Sequence, residues 1–169
     1  MATEYLTRIA FLDGQVLHDY HLNLLQRNTA EAIKAKTTQE RYDMYLNLSP
    51  YNYYFADALT TDQYRSNLSS AVRNTLTMAI EADEWISVMH ELPEAASEIY
   101  LLSSYEENIP QNARVYFSYR TTTNGAWVDM PVDKAIVLSG TTRYLQLKIR
   151  CAYMGSTRPS VYDYALMFK

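Results

Sequence analysis

Glycine is scarce in this chain, four residues in 169, and no glycine-rich phosphate loop, dinucleotide fingerprint or nucleophile elbow occurs. Cysteine is scarcer. Cys151 stands alone, which excludes an intramolecular disulfide and gives no sign of an oxidising compartment. Neither sign of charge dominates, since fifteen Lys and Arg against nineteen Asp and Glu give a net charge of -4. The basic residues are scattered along the sequence, whereas neutralising a nucleic-acid backbone needs them clustered, so no nucleic-acid partner is expected. No run approaches the roughly 20 apolar residues of a membrane span. The opening MATEYLTRIAFLDGQ lacks the charged start and apolar stretch of a signal peptide, so the chain is expected to have no membrane partner and to stay in the compartment where it is made.

What is present is the composition of a folded domain, 48% hydrophobic and 20% charged, long enough to bury its own core. Tyrosine is in excess, with sixteen residues. Its ring gives a large amphipathic contact area at low rotamer cost, which suits sheet faces and protein interfaces.

The strongest pattern is at the end of the chain, in residues 143–168. Leu145, Leu147, Ile149 and Cys151 alternate with polar neighbours, and Tyr162, Tyr164, Leu166 and Phe168 alternate after a loop holding Gly155 and Pro159. Period two predicts a closing hairpin of two half-buried strands, which needs a sheet upstream to pair with. Ala113, Val115, Phe117 and Tyr119 predict another strand, and Asn124-Gly125 predicts a tight turn back into residues 126–130. Val72, Leu76, Met78 and Ile80 alternate with Asn74 as the one polar interruption, and Trp85 to Met89 extends the strand reading up to a stop at Pro93. Residues 135–138 give a short strand before Gly140. All four glycines, Gly14, Gly125, Gly140 and Gly155, fall in predicted turns.

The other end reads differently. Ile9, Ala10, Phe11 and Leu12 precede an Asp13-Gly14 turn, and from His18, with Asp19 as N-cap, Leu22, Leu25, Thr29, Ala32 and Ile33 fall at helical spacing. The stripe thins past Ile33, so this helix should pack on a neighbour. Composition changes at Pro50, and residues 57–70 read as loop or a short helix. The expectation is an N-terminal arm and helix over residues 1–50, then an antiparallel β-sandwich of jelly-roll-like form over 51–169, mainly β overall.

Candidate chemistry is thin. Asp13, His18, Asp19 and His21 are metal-ligand types, but an i and i+3 histidine pair at a helix start lacks the i, i+4 geometry of a zinc helix, so no metal or cofactor is expected. Glu81, Asp83, Glu84, Glu91, Glu94, Glu98, Glu106 and Glu107 hold carboxylates whose spacing in space the sequence does not give, and solvated charges are the default. Cys151 has no histidine near it in sequence. Trp85 and Trp127 fit sheet or core positions better than a sugar platform. The tripeptides at Asn47 and Asn67 match the glycosylation pattern by chance. No catalytic residue is assigned.

The stretch FLDGQVLHDYHLNLLQRN at 11–28 resembles the opening of baseplate and tail-fibre attachment proteins of tailed bacteriophages, through Gly14, Gln15, Leu17, Leu22 and Asn23. RVYFSYRTTTNGAWVDMP at 114–131, YLQLKIRC at 144–151 and RPSVYDYALMF at 158–168 are similar to the β-sandwich module of such proteins. The resemblance implies a non-enzymatic virion component, made in the host cytoplasm and built into the tail. It would hold other tail or baseplate proteins in register, as a homo-oligomer or within a mixed assembly. Phe11, Leu12, Leu17, Leu22, Leu25 and Ile33 are then the suspected partner-binding residues. A carbohydrate-binding sandwich that touches host glycans is the alternative.

Overall fold

Residues 143–168 do fold as two long strands, yet the two never pair with each other. The computed structural model describes Leu46 and residues 50–169. The expected arm and helix, the suspected partner-binding set from Phe11 to Ile33, and the Asp13, His18, Asp19 and His21 group therefore lie outside the described residues. Within them the chain runs through β1 (Tyr53–Asp57), β2 (Val72–Arg73), β3 (Ile80–Ile86) and β4 (His90–Glu106). It continues through a 3-10 turn (Ile109–Gln111), β5 (Arg114–Arg120), β6 (Val128–Asp129), β7 (Ala135–Ala152) and β8 (Ser160–Phe168). The fold is mainly β, and every pairing between these strands is antiparallel.

The strand order is β2-β3-β8-β4-β7-β5-β6, with β1 on β8 and a further pairing of β3 with β7. One edge of β8 is taken by β4, from Ile99↔Phe168 to Glu106↔Ser160, and the other by β1 and by Ile80 of β3. The expected closing hairpin is thus corrected: β4 lies between its two arms. A seven-residue connection over residues 153–159, turning at Gly155 with φ +81°, carries the chain across. β7 is the hinge of the arrangement. Its first part pairs with β4, from Tyr100↔Ala135 to His90↔Leu145, and its last part pairs with β5 on one edge and with residues 83–86 of β3 on the other.

The core follows the predicted alternation on β5 and β7. Leu145, Leu147 and Ile149 are wholly buried, with Cys151, Val115, Phe117 and Tyr119 packed against them, and Trp85, Ile99, Leu101, Tyr164, Leu166 and Phe168 close the cluster. On β8 the alternation fails, because Asp163, Ala165 and Met167 are buried as well as Tyr164, Leu166 and Phe168. Tyr162 is half-buried, on the other side of a register shift opposite Ser104 and Tyr105.

Two punctuation residues mark bulges and not ends. Between Glu91↔Tyr144 and Ala96↔Thr142, β4 advances five residues while β7 advances two. Pro93, expected to stop the element, sits in that bulge, where its missing N–H costs no ladder bond. Between Ala96↔Thr142 and Glu98↔Val137 the excess is on β7 instead, and Gly140, expected in a turn, sits there inside the strand. The Arg143 guanidinium donates to the Leu92 and Pro93 carbonyls at 3.4 Å and lies 3.7 Å from Glu91, which ties the β4 bulge to β7.

Two further expectations are corrected. The single strand over residues 72–80 is broken after Arg73, because Asn74, its lone polar residue, closes a turn: its Oδ1 accepts from the Leu76 and Thr77 N–H groups at 2.8 and 3.1 Å. Leu76 points into solvent at 92% exposure. Asn124-Gly125 does not form a two-residue turn, since the flanking pair is Tyr119↔Val128 and eight residues lie between. At Gly125 a Cβ would approach Thr122 Oγ1 to 2.6 Å, so a side chain there would require the Thr122 hydroxyl to shift. Residues 58–71 form a loop with no helix, pinned by a wholly buried Leu59 and by Arg73, which donates to the Leu59 and Thr61 carbonyls and to Asp62.

Ile149→Ala should lower stability by about 3 kcal/mol through lost burial and a residual cavity, and Arg143→Ala by about 1 kcal/mol through the bulge carbonyls. Urea unfolding of both variants checks the order of the two effects.

Candidate functional site

The eight acidic residues of the β3 and β4 region do not converge. Glu84 reaches Lys148 at 3.6 Å and Glu91 reaches Arg143. Glu98 accepts from Tyr51 OH at 2.8 Å and pairs with Lys169 at 3.1 Å, and the Tyr51 bond leads the causes that hold its carboxyl low. Glu81, Glu94 and Glu107 accept from Asn74, Tyr53 and the Val115 N–H. Cys151 is buried, with its thiol directed at the Ile80 carbonyl at 3.6 Å. Burial first, then Glu81 and Asp83, pushes that thiol up to about 12, so it stays protonated. Among the described residues no three His, Cys, Asp or Glu side chains are placed to hold a metal ion, and no helix is long and apolar enough to cross a membrane.

One polar cluster lies inside the core. Asp57 and Tyr164 face each other across β1 and β8, Trp85 packs 5.3 Å from the Tyr164 ring, and Phe55 stacks on His90 at 3.9 Å with its edge toward Tyr164. Asp57 Oδ1 accepts from the Leu59 N–H at 2.8 Å and so fixes the start of the loop. Asp57 Oδ2, Trp85 Nε1, His90 Nε2 and Tyr164 OH are buried with no hydrogen-bond partner among the described residues. Burial is the main cause that raises the Asp57 carboxyl, against the Leu59 N–H and Arg73. Burial also lowers His90 to about 4 and raises the Tyr164 phenol well above its ordinary value. All three shifts favour the uncharged form, as burial does for any ionisable group.

The second place is the outer face of β5 and β7. With Val115, Phe117 and Tyr119 turned inward, Arg114, Tyr116 and Arg120 point out, and with Leu147 and Ile149 inward, so do Lys148 and Arg150. Register puts Tyr116 opposite Arg150, whose guanidinium lies 4.5 Å over its ring. Trp127, from the loop between β5 and β6, lies under Arg120 at 4.5 Å and Lys148 at 4.8 Å. Arg158 covers Tyr153 at 5.2 Å on the adjoining connection. Such contacts contribute about 0.5–1 kcal/mol each where exposed and bias the cations toward the rings. Gln146 is buried beside them, donating to the Ser87 carbonyl and accepting from Arg120 Nε, both at 2.6 Å. A hollow of about 310 Å³ opens beyond this face at the Gly140 bulge, lined by Tyr119, Gly125, Val128, Leu138 and Thr142 among others.

The two tryptophans differ in setting: Trp85 on β3 is wholly buried, and Trp127 in the β5–β6 loop is half-buried at the surface. The cation and aromatic pairs of the outer face escape a reading of the sequence because they form across strands. The Tyr116↔Arg150 register makes one pair, and the β5–β6 loop brings Trp127 under Arg120 and Lys148. No family model, curated protein or solved structure matches the chain.

Tyr164→Phe removes a buried hydroxyl that has no partner among the described residues and should raise stability by about 1 kcal/mol, read as a higher urea midpoint. His90, with its folded pKa below the ordinary 6.5, contributes stability that is full above pH 6.5 and is lost as pH falls through about 4, up to about 3 kcal/mol. Asp57 acts in the opposite sense, adding stability below its ordinary 3.8 that fades as pH rises through its raised value. Urea midpoints taken between pH 7 and pH 4 should therefore fall less steeply in His90→Phe than in the parent chain.

Proposed function

We propose that the protein is a non-enzymatic structural component of a phage tail or baseplate that joins neighbouring virion proteins. In this reading residues 51–169 form a jelly-roll-like antiparallel sandwich serving as spacer and docking face. Residues 1–50 engage other tail proteins through Phe11, Leu12, Leu17, Leu22, Leu25 and Ile33. The resemblance of residues 11–28 and of the β5, β7 and β8 sequences supports the role. The observation that carries it is the outer face of β5 and β7, where Tyr116, Trp127 and three cations lie in ring contacts over a core complete without them. Tyr, Trp and Arg are the residue types that dominate interface cores.

A glycan-binding module is the second reading, favoured by the half-buried Trp127 at the rim of that face. The cations over the Trp127 ring compete with a stacked sugar. Because Trp85 is wholly buried, a change in tryptophan emission on adding host polysaccharide would report Trp127.

Deleting residues 1–50 should leave the melting of the β unit cooperative and abolish incorporation into tailed particles, scored by mass spectrometry of purified virions. Absence of the full-length chain from such particles would overturn the tail reading. An emission change that saturates with polysaccharide would favour the glycan module in its place.

A further inference from the structure

We propose that the outer face of β5 and β7 docks, head to tail, onto the acidic bulge of β4 in a second copy of the same chain. Charge is divided unevenly over the protein. Residues 74–113 contain eight acids and no Lys or Arg. Among the described residues there are ten cations and thirteen acids. Five of the cations, Arg114, Arg120, Lys148, Arg150 and Arg158, stand on the outer face or its bordering connection, beside the acids Asp83, Glu84 and Asp129. The rest of the described chain is left with ten acids against five cations, so a net positive face sits on a negative molecule.

The complementary patch is on the chain itself. Glu91 and Glu94 are exposed on the β4 bulge together with Pro93 and Ala95. Glu91 has Arg143 at 3.7 Å, both more than half exposed, and Glu94, among the described residues, accepts from the Tyr53 OH. Solvated contacts of this kind are weak and leave charge available to a partner. Along β7 the bulge lies beside Thr142 and Tyr144, whereas the basic face is centred on Lys148 and Arg150. The two patches are therefore distinct, and a contact between unlike patches repeats from copy to copy into a ring or a filament. Tyr116 and Trp127 supply the apolar contact area within the positive face, and the charges set its orientation.

The inference rests on the reading of the protein as an assembly component, and the two are tested apart. Sedimentation of the full chain should show concentration-dependent association at about 20 mM salt that weakens about tenfold at about 500 mM, because the attraction is between exposed charges. Arg114→Glu with Arg150→Glu should give a monomer, as should Glu91→Lys with Glu94→Lys, each with an unchanged melting curve. Mixing the two variants should restore association, since the reversed face of one then meets the reversed bulge of the other. A parent chain that stays monomeric at low salt, association that survives both reversals, or a mixture that stays monomeric overturns the proposal. Those results leave the tail reading standing, because that reading is tested separately, by presence of the chain in tailed particles and by the polysaccharide titration.

Discussion

The pairing of β7 along both of its edges is the constraint on which the rest of the structure depends. Its first part pairs with β4 and its last part with β5 and β3. Those strands cannot be placed independently of one another. The inward row Leu145, Leu147, Ile149 and Cys151 then becomes the floor of a shared core onto which Trp85, Phe117 and Leu166 close. Burial of those side chains supplies the driving force, at roughly 25 cal/mol per Å² of apolar surface removed from water. The two-edged pairing decides which strands share it.

A change of partner along one strand needs local irregularity, and the structure places it at three points. The β4 bulge holds Pro93, the β7 bulge holds Gly140, and β3 passes from β8 to β7 through Asp83, whose φ is +58°. Bulges increase local twist and bend a strand, which lets long strands serve two sets of neighbours. Arg143 then binds the carbonyls exposed by the β4 bulge, so the irregularity is satisfied and not merely tolerated.

This explains what could be read from the sequence. The alternating rows of β5 and β7 were legible because each strand has one face in the core, and period two records that directly. Pro93 and Gly140 were misread as ends because proline and glycine signal a break in the ladder without saying whether the chain stops there or bulges through. The turn at Asn74 was missed: one polar residue in an apolar row reads as an interruption of a strand, whereas its side chain accepts from the Leu76 and Thr77 N–H groups and closes a turn. Partner choice was not legible. Nothing in residues 143–168 says that β4 separates β7 from β8, and nothing local to Asp57, Trp85, His90 or Tyr164 says that they meet. The suspected partner-binding residues, all before Pro50, lie outside the described residues, and the basic outer face of β5 and β7 emerged from register instead.

The functional account follows from the same strand. Because β7 turns its apolar row inward, Lys148 and Arg150 are carried outward opposite β5, where Tyr116 and Trp127 lie against the cations. A sheet face that presents aromatic rings and cations is the surface on which the proposed role as an assembly component rests. Hydrogen exchange of the purified chain, resolved by residue, tests the claim that one continuous strand organises the fold. The slowest amides should fall in residues 145–151, where both edges of β7 are paired, with protection continuing through the β4 pairing to residue 135. Rapid exchange across 145–151, or protection that stops at Gly140, would contradict it.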